Sequence, residues 1–152
     1  MTAPAPAPRV DDWAGARLPT LLRGASLEVP ARDRSVDACR EFCAPGTTVH
    51  VRHAPGDTTH GIVDVAARLA RAGLAPVPHV AARSLESFTR LNDYLARAVG
   101  EAGVAEMLVT AGDQAQPAGP FRASLELVET GLFEKHGVRR VGIAGYPERH
   151  PG

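Results

Sequence analysis

Five short apolar runs recur along the chain, and each is followed by a polar loop. They lie at 25–29, 47–51, 77–81, 107–109 and 140–144, and their length and β-branched content are typical of buried strands. Helical spacing of apolar residues follows the first four runs, at about 35–44, 59–73, 84–100 and 122–135. Alternation of this kind is typical of βα units that right-handed crossovers join into a parallel sheet. The pattern therefore predicts an α/β domain of about five parallel strands with four helices.

Individual residues predict which positions the first two helices bury and where the second helix begins. The first helix is expected to carry Val36, Cys39 and Phe42 inward. Thr58 or Thr59 is expected to cap the second helix, because a hydroxyl at that position accepts a hydrogen bond from the first helical turn. The inward-facing residues predicted for the second helix are Ile62, Val65, Ala66 and Leu69.

The third unit carries a proline inside its strand. Pro78 cannot donate to the ladder, so we expect a bulge or a strand end there. Ser84 is then expected to cap the third helix, which has the clearest apolar stripe of the chain. That stripe is predicted to contain Leu85, Phe88, Leu91, Leu95 and Val99.

Composition narrows the class of protein. The chain has 152 residues and is 44% hydrophobic, which is enough for one globular domain with a core. We expect that domain to span residues 19–152, after a disordered tail rich in alanine and proline at 1–18. Seventeen basic residues balance seventeen acidic ones, so we expect no nucleic-acid partner, and the short apolar runs predict no membrane span.

Two cysteines bear on the compartment and on metal binding. Cys39 and Cys43 lie four residues apart in a predicted helix, which indicates no disulfide framework and suits a reducing cytoplasm. Together with His50 and His53 they provide two sulfur and two nitrogen ligands, enough for a zinc ion. The cysteines are predicted on a core face and the two histidines on opposite faces of a strand, so we predict no metal site.

Polar side chains follow the predicted strands at the point where each strand ends. Because the carboxyl ends of parallel strands meet at one edge, we expect these residues to surround one site. The structural alternatives are an ion pair with Arg32 or Arg52 for Glu28, a turn carboxylate for Asp113 and a buried hydrogen-bonded imidazole for His79. For Tyr146 and His150 the alternative is the end of a C-terminal strand, with the ring packed and the imidazole solvated. The residues are Glu28, Arg52, His53, His79, Asp113, Tyr146 and His150.

Four sequence strings at these strand ends resemble one enzyme family. They are SLEVPAR at 26–32, PVPHV at 76–80, AGD at 111–113 and AGYPERHP at 144–151. In this order they resemble the methylenetetrahydrofolate reductase family. The resemblance implies a (β/α)8 barrel of the TIM type, of which this chain would form a part, with FAD bound across the carboxyl ends of its strands. It also implies hydride transfer from NAD(P)H through FAD to 5,10-methylenetetrahydrofolate.

The resemblance also implies roles for individual residues. Glu28 matches the acid that protonates the folate, and Asp113 matches a catalytic carboxylate beside flavin and folate. Burial at a strand end would favour the neutral, proton-donating form of Glu28. The cofactor-binding positions that it implies are His79, Gly112, Asp113, Ala123, Tyr146 and His150.

The chain departs from the family at two strand ends and in length. Arg52, His53 and Ala54 stand where the family has a Thr-Tyr-Gly sequence, and Ala111 replaces an arginine. A complete barrel needs roughly 250 residues. One alternative is therefore a truncated, catalytically incomplete half-barrel that acts as a binding or assembly module, as a homo-oligomer or with a completing chain. Another is a different pterin-like substrate whose acidic group Arg52 meets.

Overall fold

The computed structural model describes residues 22, 24–31 and 34–144. The predicted tail at 1–18, Tyr146 and His150 lie outside the described residues. The strands are β1 (Leu27–Pro30), β2 (Thr48–Arg52), β3 (Ala75–Ala81), β4 (Glu106–Thr110) and β5 (Arg140–Ile143). The helices are α1 (Arg34–Phe42), α2 (Thr59–Arg71), α3 (Phe88–Ala102), α4 (Ser124–Glu129) and α5 (Leu132–Lys135), with a 3₁₀ turn at Ala82–Ser84.

All five strands are parallel and lie in the order β1-β2-β3-β4-β5. A sequential order with right-handed crossovers places the connecting helices on one face of the sheet. Side chains on that face are fully buried, as Val49, Val80 and Val109 show at 0% exposure. The neighbouring positions on the other face carry polar groups such as His50 and Thr110, which are partly exposed. The α/β class and the parallel sheet are therefore as the sequence predicts.

The second helix follows its prediction closely. Thr58 is its N-cap, and the hydroxyl accepts a hydrogen bond of 3.1 Å from the N–H of Gly61. The residues predicted to face inward are buried at 4% exposure or less: Ile62, Val65, Ala66 and Leu69. The helix packs against both α3 and β3. A cap and a regular stripe that agree with each other make this the best-predicted element of the chain.

The first helix corrects one prediction. Val36 and Cys39 are buried, but Phe42 is 79% exposed. Successive helical residues are about 100° apart, so Phe42 has rotated about 120° from Val36, whereas Cys43 lies about 20° from it. Cys43 packs against the core instead of Phe42.

The start of the third helix was also predicted wrongly. Ser87, not Ser84, is the N-cap, and its hydroxyl accepts a hydrogen bond of 3.2 Å from the N–H of Arg90. Ser84 closes the 3₁₀ turn and donates to the Ala81 carbonyl. Leu85 is buried in an extended segment before the helix, while Phe88 is 56% exposed. Leu85 lies outside the helix, but its place in the sequence fits the helical spacing of the apolar residues that follow, so the pattern included it.

Two smaller expectations also change. The strand does not end at Pro78: β3 pairs with β2 through Pro78 and with β4 from His79 onward, so the proline lies where the pairing changes neighbour. The predicted fourth helix is divided into α4 and α5 because Gly131 adopts a φ of 68°, a conformation that favours glycine. The described residues therefore contain five α-helices rather than four. None of these helices is both long and apolar enough to cross a membrane.

Candidate functional site

A cavity of about 550 Å³ lies at the carboxyl ends of the strands. Four residues that the sequence places at strand ends line it together: Glu28, His79, Gly112 and Asp113. Arg52 and His53 line the same cavity. Loops following β2 and β4 and the segment before α3 supply the remaining walls. The described members of the predicted ring therefore surround one common space, as the convergence of parallel strand ends predicts.

Glu28 does not have the burial predicted for it. Its carboxylate oxygen lies 4.0 Å from Nε of Arg52, and both side chains are 54% exposed. Strand β1 pairs with β2 on one side only among the described residues, which leaves Glu28 near solvent. An exposed pair at this distance contributes little to stability, about 0–1 kcal/mol. The ion pair with Arg52, one of the structural alternatives, is the arrangement observed.

His79 lines the cavity and contacts His50. The side chain of His79 is 5% exposed, and its Nε2 lies 3.2 Å from Nδ1 of His50, so that one ring donates a hydrogen bond and the other accepts it. The ring centroids are 5.4 Å apart in an edge-on arrangement. Burial, and then the charges of His50, His53 and Arg52, lower the pKa of His79 to about 4. His79 is therefore neutral at physiological pH and lines the cavity.

His53 lies one residue beyond the end of β2 and turns toward β3. Its Nδ1 accepts a hydrogen bond of 3.4 Å from the N–H of Ala81. The loop that follows is closed by Asp57, which accepts a hydrogen bond of 2.8 Å from the N–H of Ala54. Burial lowers the pKa of His53, partly opposed by Asp57. His53 lies beyond the end of β2, so the strand alternation from which His50 and His53 were predicted to lie on opposite faces does not extend to His53.

The residues that the sequence offered to zinc are not grouped around a common point. Within the described part of the chain, no set of three or more His, Cys, Asp or Glu residues is placed to hold a metal ion. Cys39 and Cys43 are both free thiols, the first buried and the second half-buried. Burial and then the neighbouring Cys43 raise the pKa of the Cys39 thiol.

Gly112 has a structural role in the fold itself. Its φ is 90°, and a Cβ atom there would lie 3.2 Å from Cβ of Ala81. The glycine thus lets the loop after β4 approach the end of β3 and the backbone of Arg83. That approach places Asp113 at the rim of the cavity.

Arg83 holds the loop that carries Asp113. Its Nε donates 3.0 Å to the carbonyl of Arg122, and its Nη1 donates 3.2 Å to the carbonyl of Gln114. Its backbone N–H donates 2.9 Å to the carbonyl of Ala111, and its own carbonyl accepts 2.8 Å from the N–H of Ala118. Four hydrogen bonds from one residue therefore connect the 3₁₀ turn to both ends of the loop.

Ala123, a predicted cofactor-binding residue, does not line the cavity. It is the N-cap residue of α4, and its N–H donates 3.4 Å to the Glu126 carboxylate. The structure thus gives Ala123 a place at a helix start, while Tyr146 and His150 belong to the residues it does not describe.

The sequence did not indicate two residues that support the site through hydrogen bonds, His50 and Arg83. His50 drew attention only as a possible zinc ligand, and the strand register with His79 is what pairs the two rings. Arg83 belongs to no motif, and no sequence signal distinguishes it from a surface arginine. A comparison with protein-family models found no family model that matches the chain.

Proposed function

We propose that the chain is a flavoprotein of the methylenetetrahydrofolate reductase type, in which NAD(P)H reduces FAD and the flavin reduces 5,10-methylenetetrahydrofolate. The sheet would then be the first five strands of a (β/α)8 barrel. The observation that carries the proposal is the meeting of Glu28, His79, Gly112 and Asp113 in one cavity at the carboxyl ends of the strands. The sequential strand order with helices on one face agrees with it.

The cavity suits a small-molecule ligand. Its volume of about 550 Å³ falls within the usual range for ligand sites. His79, Gly112 and Asp113 would hold the flavin, which accepts and donates a hydride when bound. Neutral His79 would offer one donor or acceptor without adding charge, and the carboxylate of Asp113 would favour the cation that develops on the folate.

Glu28 would act as the acid that protonates the folate and opens its five-membered ring. In the described structure its side chain is half exposed and faces Arg52. The bound ligand would have to exclude water from Glu28 and separate it from Arg52 before the neutral acid is favoured. In this proposal, Glu28 therefore becomes an effective proton donor only when the ligand is bound.

Flavin binding tests the proposal directly. The purified protein is incubated with FAD, and the flavin spectrum and fluorescence quenching are measured after gel filtration. Asp113→Asn should weaken FAD retention, whereas Asp93→Asn, on an exposed position of α3, should retain it as the wild type does. Glu28→Gln should retain FAD but lose folate reduction. A protein that takes up no FAD under any of these conditions removes the basis of the proposal.

A second candidate function is a binding or assembly module without catalysis. Among the described residues, β1 pairs with β2 alone and β5 with β4 alone. Leu27 on β1 is 44% exposed and Ile143 on β5 is 54% exposed, so both sheet edges present apolar side chains. This candidate predicts concentration-dependent self-association in sedimentation velocity, without NAD(P)H oxidation when FAD is supplied. A monomer at all concentrations would exclude self-association of the sheet edges.

A further inference from the structure

Three nitrogen-bearing side chains occupy one wall of the cavity. Arg52 ends β2, His53 follows it, and His79 lies on the adjacent strand β3. In the ladder, Val51 pairs with Pro78, so the next residues of both strands, Arg52 and His79, stand at the same level of the sheet. A guanidinium and two imidazoles are thus brought to the same end of two neighbouring strands.

Hydrogen bonds within the protein orient the two imidazoles. Because the N–H of Ala81 donates to Nδ1 of His53, the proton of the neutral His53 ring is on Nε2. Nε2 of His79 is engaged with His50, which leaves Nδ1 as the other polar atom of the His79 ring. Arg52 meets Glu28 only at 4.0 Å, longer than a hydrogen bond, and makes no shorter ion pair within the described residues.

The charges around this wall favour a bound anion. Burial lowers the pKa of both His79 and His53; like charge from His50, His53 and Arg52 lowers it further at His79, whereas Asp57 opposes the shift at His53. Protonating these rings in the absence of a ligand therefore costs electrostatic energy, which an anion between them would recover.

Four carboxylates also line the cavity, and the position of each bears on where an anion can bind. Glu28 lies beside Arg52, and Asp57 accepts the Ala54 N–H in the loop after His53. Glu86 is paired with Arg90 at 3.2 Å, and Asp113 lines the cavity on the loop after β4. The anion would therefore sit against the ends of β2 and β3, where it replaces Glu28 as the partner of Arg52.

We propose that Arg52, His53 and His79 form a subsite for an anionic group of the ligand, a phosphoryl group or a carboxylate, and that filling it takes up a proton. The inference rests on the proposed function only in assigning the ligand to this cavity. The anion can come from the diphosphate of a dinucleotide or from the carboxylates of a folate, and the experiment separates these sources.

Calorimetric titration with inorganic diphosphate at pH 6, in buffers of different ionisation enthalpy, measures both affinity and proton uptake. Net uptake of protons is expected for the wild type. Arg52→Gln should weaken binding about tenfold or more, the size of one lost charge-assisted hydrogen bond. Arg90→Gln is the matched control, since Arg90 lines the same cavity but is paired with Glu86, and it should change affinity less than about twofold.

Two further arms identify the source of the anion and separate this inference from the proposed function. If the diphosphate fills the subsite, Arg52→Gln weakens FAD but not riboflavin; if a folate carboxylate fills it, the variant weakens the folate alone. Unfolding curves establish that each variant is folded. Absence of diphosphate binding, binding without proton uptake, or equal effects of Arg52→Gln and Arg90→Gln would overturn the subsite. If the variant that lacks the subsite still retains FAD, the proposed function stands. If the protein binds diphosphate but not FAD, the subsite stands and the proposed function does not.

Discussion

Substitution of Gly119 by alanine tests how the loop after β4 is seated. A Cβ atom at Gly119 would lie 2.4 Å from the carbonyl oxygens of Leu85 and Glu86. Both are backbone atoms, so they cannot move aside as the end of a long side chain could. Either the loop or the segment before α3 must shift. Overpacking of this kind costs about 1–3 kcal/mol, which is a large share of the roughly 5–15 kcal/mol that stabilises a domain.

The matched control is the same substitution at Gly100. This glycine is exposed in the interior of α3, and its added Cβ would meet no atom within 4 Å. Alanine there should stabilise the protein by about 0.5–1 kcal/mol, because glycine loses more conformational freedom in a helix. Urea unfolding followed by far-ultraviolet circular dichroism measures both free energies. A Gly119→Ala protein as stable as the wild type would refute the close packing, as would two variants that shift in the same direction.

Three further predictions concern single side chains. Tyr94→Phe should lower the free energy of unfolding by about 1–2 kcal/mol in urea titrations, because the buried hydroxyl donates 2.9 Å to the His79 carbonyl, and an unchanged value would contradict that bond. The pKa of His79 is about 4 in the folded protein and near 6.5 when unfolded, so the unfolded chain binds more protons between these values. Stability should be full above about pH 6.5 and fall by up to about 3 kcal/mol toward pH 4. His79→Asn should flatten this slope, and an equal slope in the variant would show that the His79 ring is readily protonated in the fold. In a thiol-reagent assay, half-buried Cys43 should react well before buried Cys39, and a Cys43→Ser protein that still reacts fast would disprove the burial.

The sequence predicts the parallel sheet well, and it predicts an element best where two signals, a cap and an apolar stripe, agree. In α2 the cap at Thr58 and the buried stripe agree, and the helix is as predicted. In α3 the stripe extended through Leu85 beyond the helix, and the wrong serine was chosen as the cap. Phe42 shows the same limit, since a spacing of three residues repeated twice drifts off a helical face.

The candidate site divides in a similar way. Convergence of Glu28, His79 and Asp113 on one cavity follows from parallel topology alone, which a sequence pattern can reveal. The burial of Glu28 and the bond between His50 and His79 depend on which strand is at the edge and on the register between strands. Neither quantity is encoded in a local pattern, so these were the features that sequence reasoning misjudged or missed.

The two sides of the cavity differ in how firmly they are held. On one side, Arg83 makes four hydrogen bonds of 2.8–3.2 Å to the loop that carries Asp113, and Gly119 packs against backbone carbonyls. On the other, a single 4.0 Å contact between half-exposed side chains joins Glu28 to Arg52. Hydrogen-bonded backbone resists displacement, whereas an exposed ion pair exchanges readily with water or with a ligand charge. In the proposed site, a ligand would therefore meet a preformed wall at Asp113 and rearrange the wall at Arg52, one of the positions at which the sequence departs from the methylenetetrahydrofolate reductase pattern.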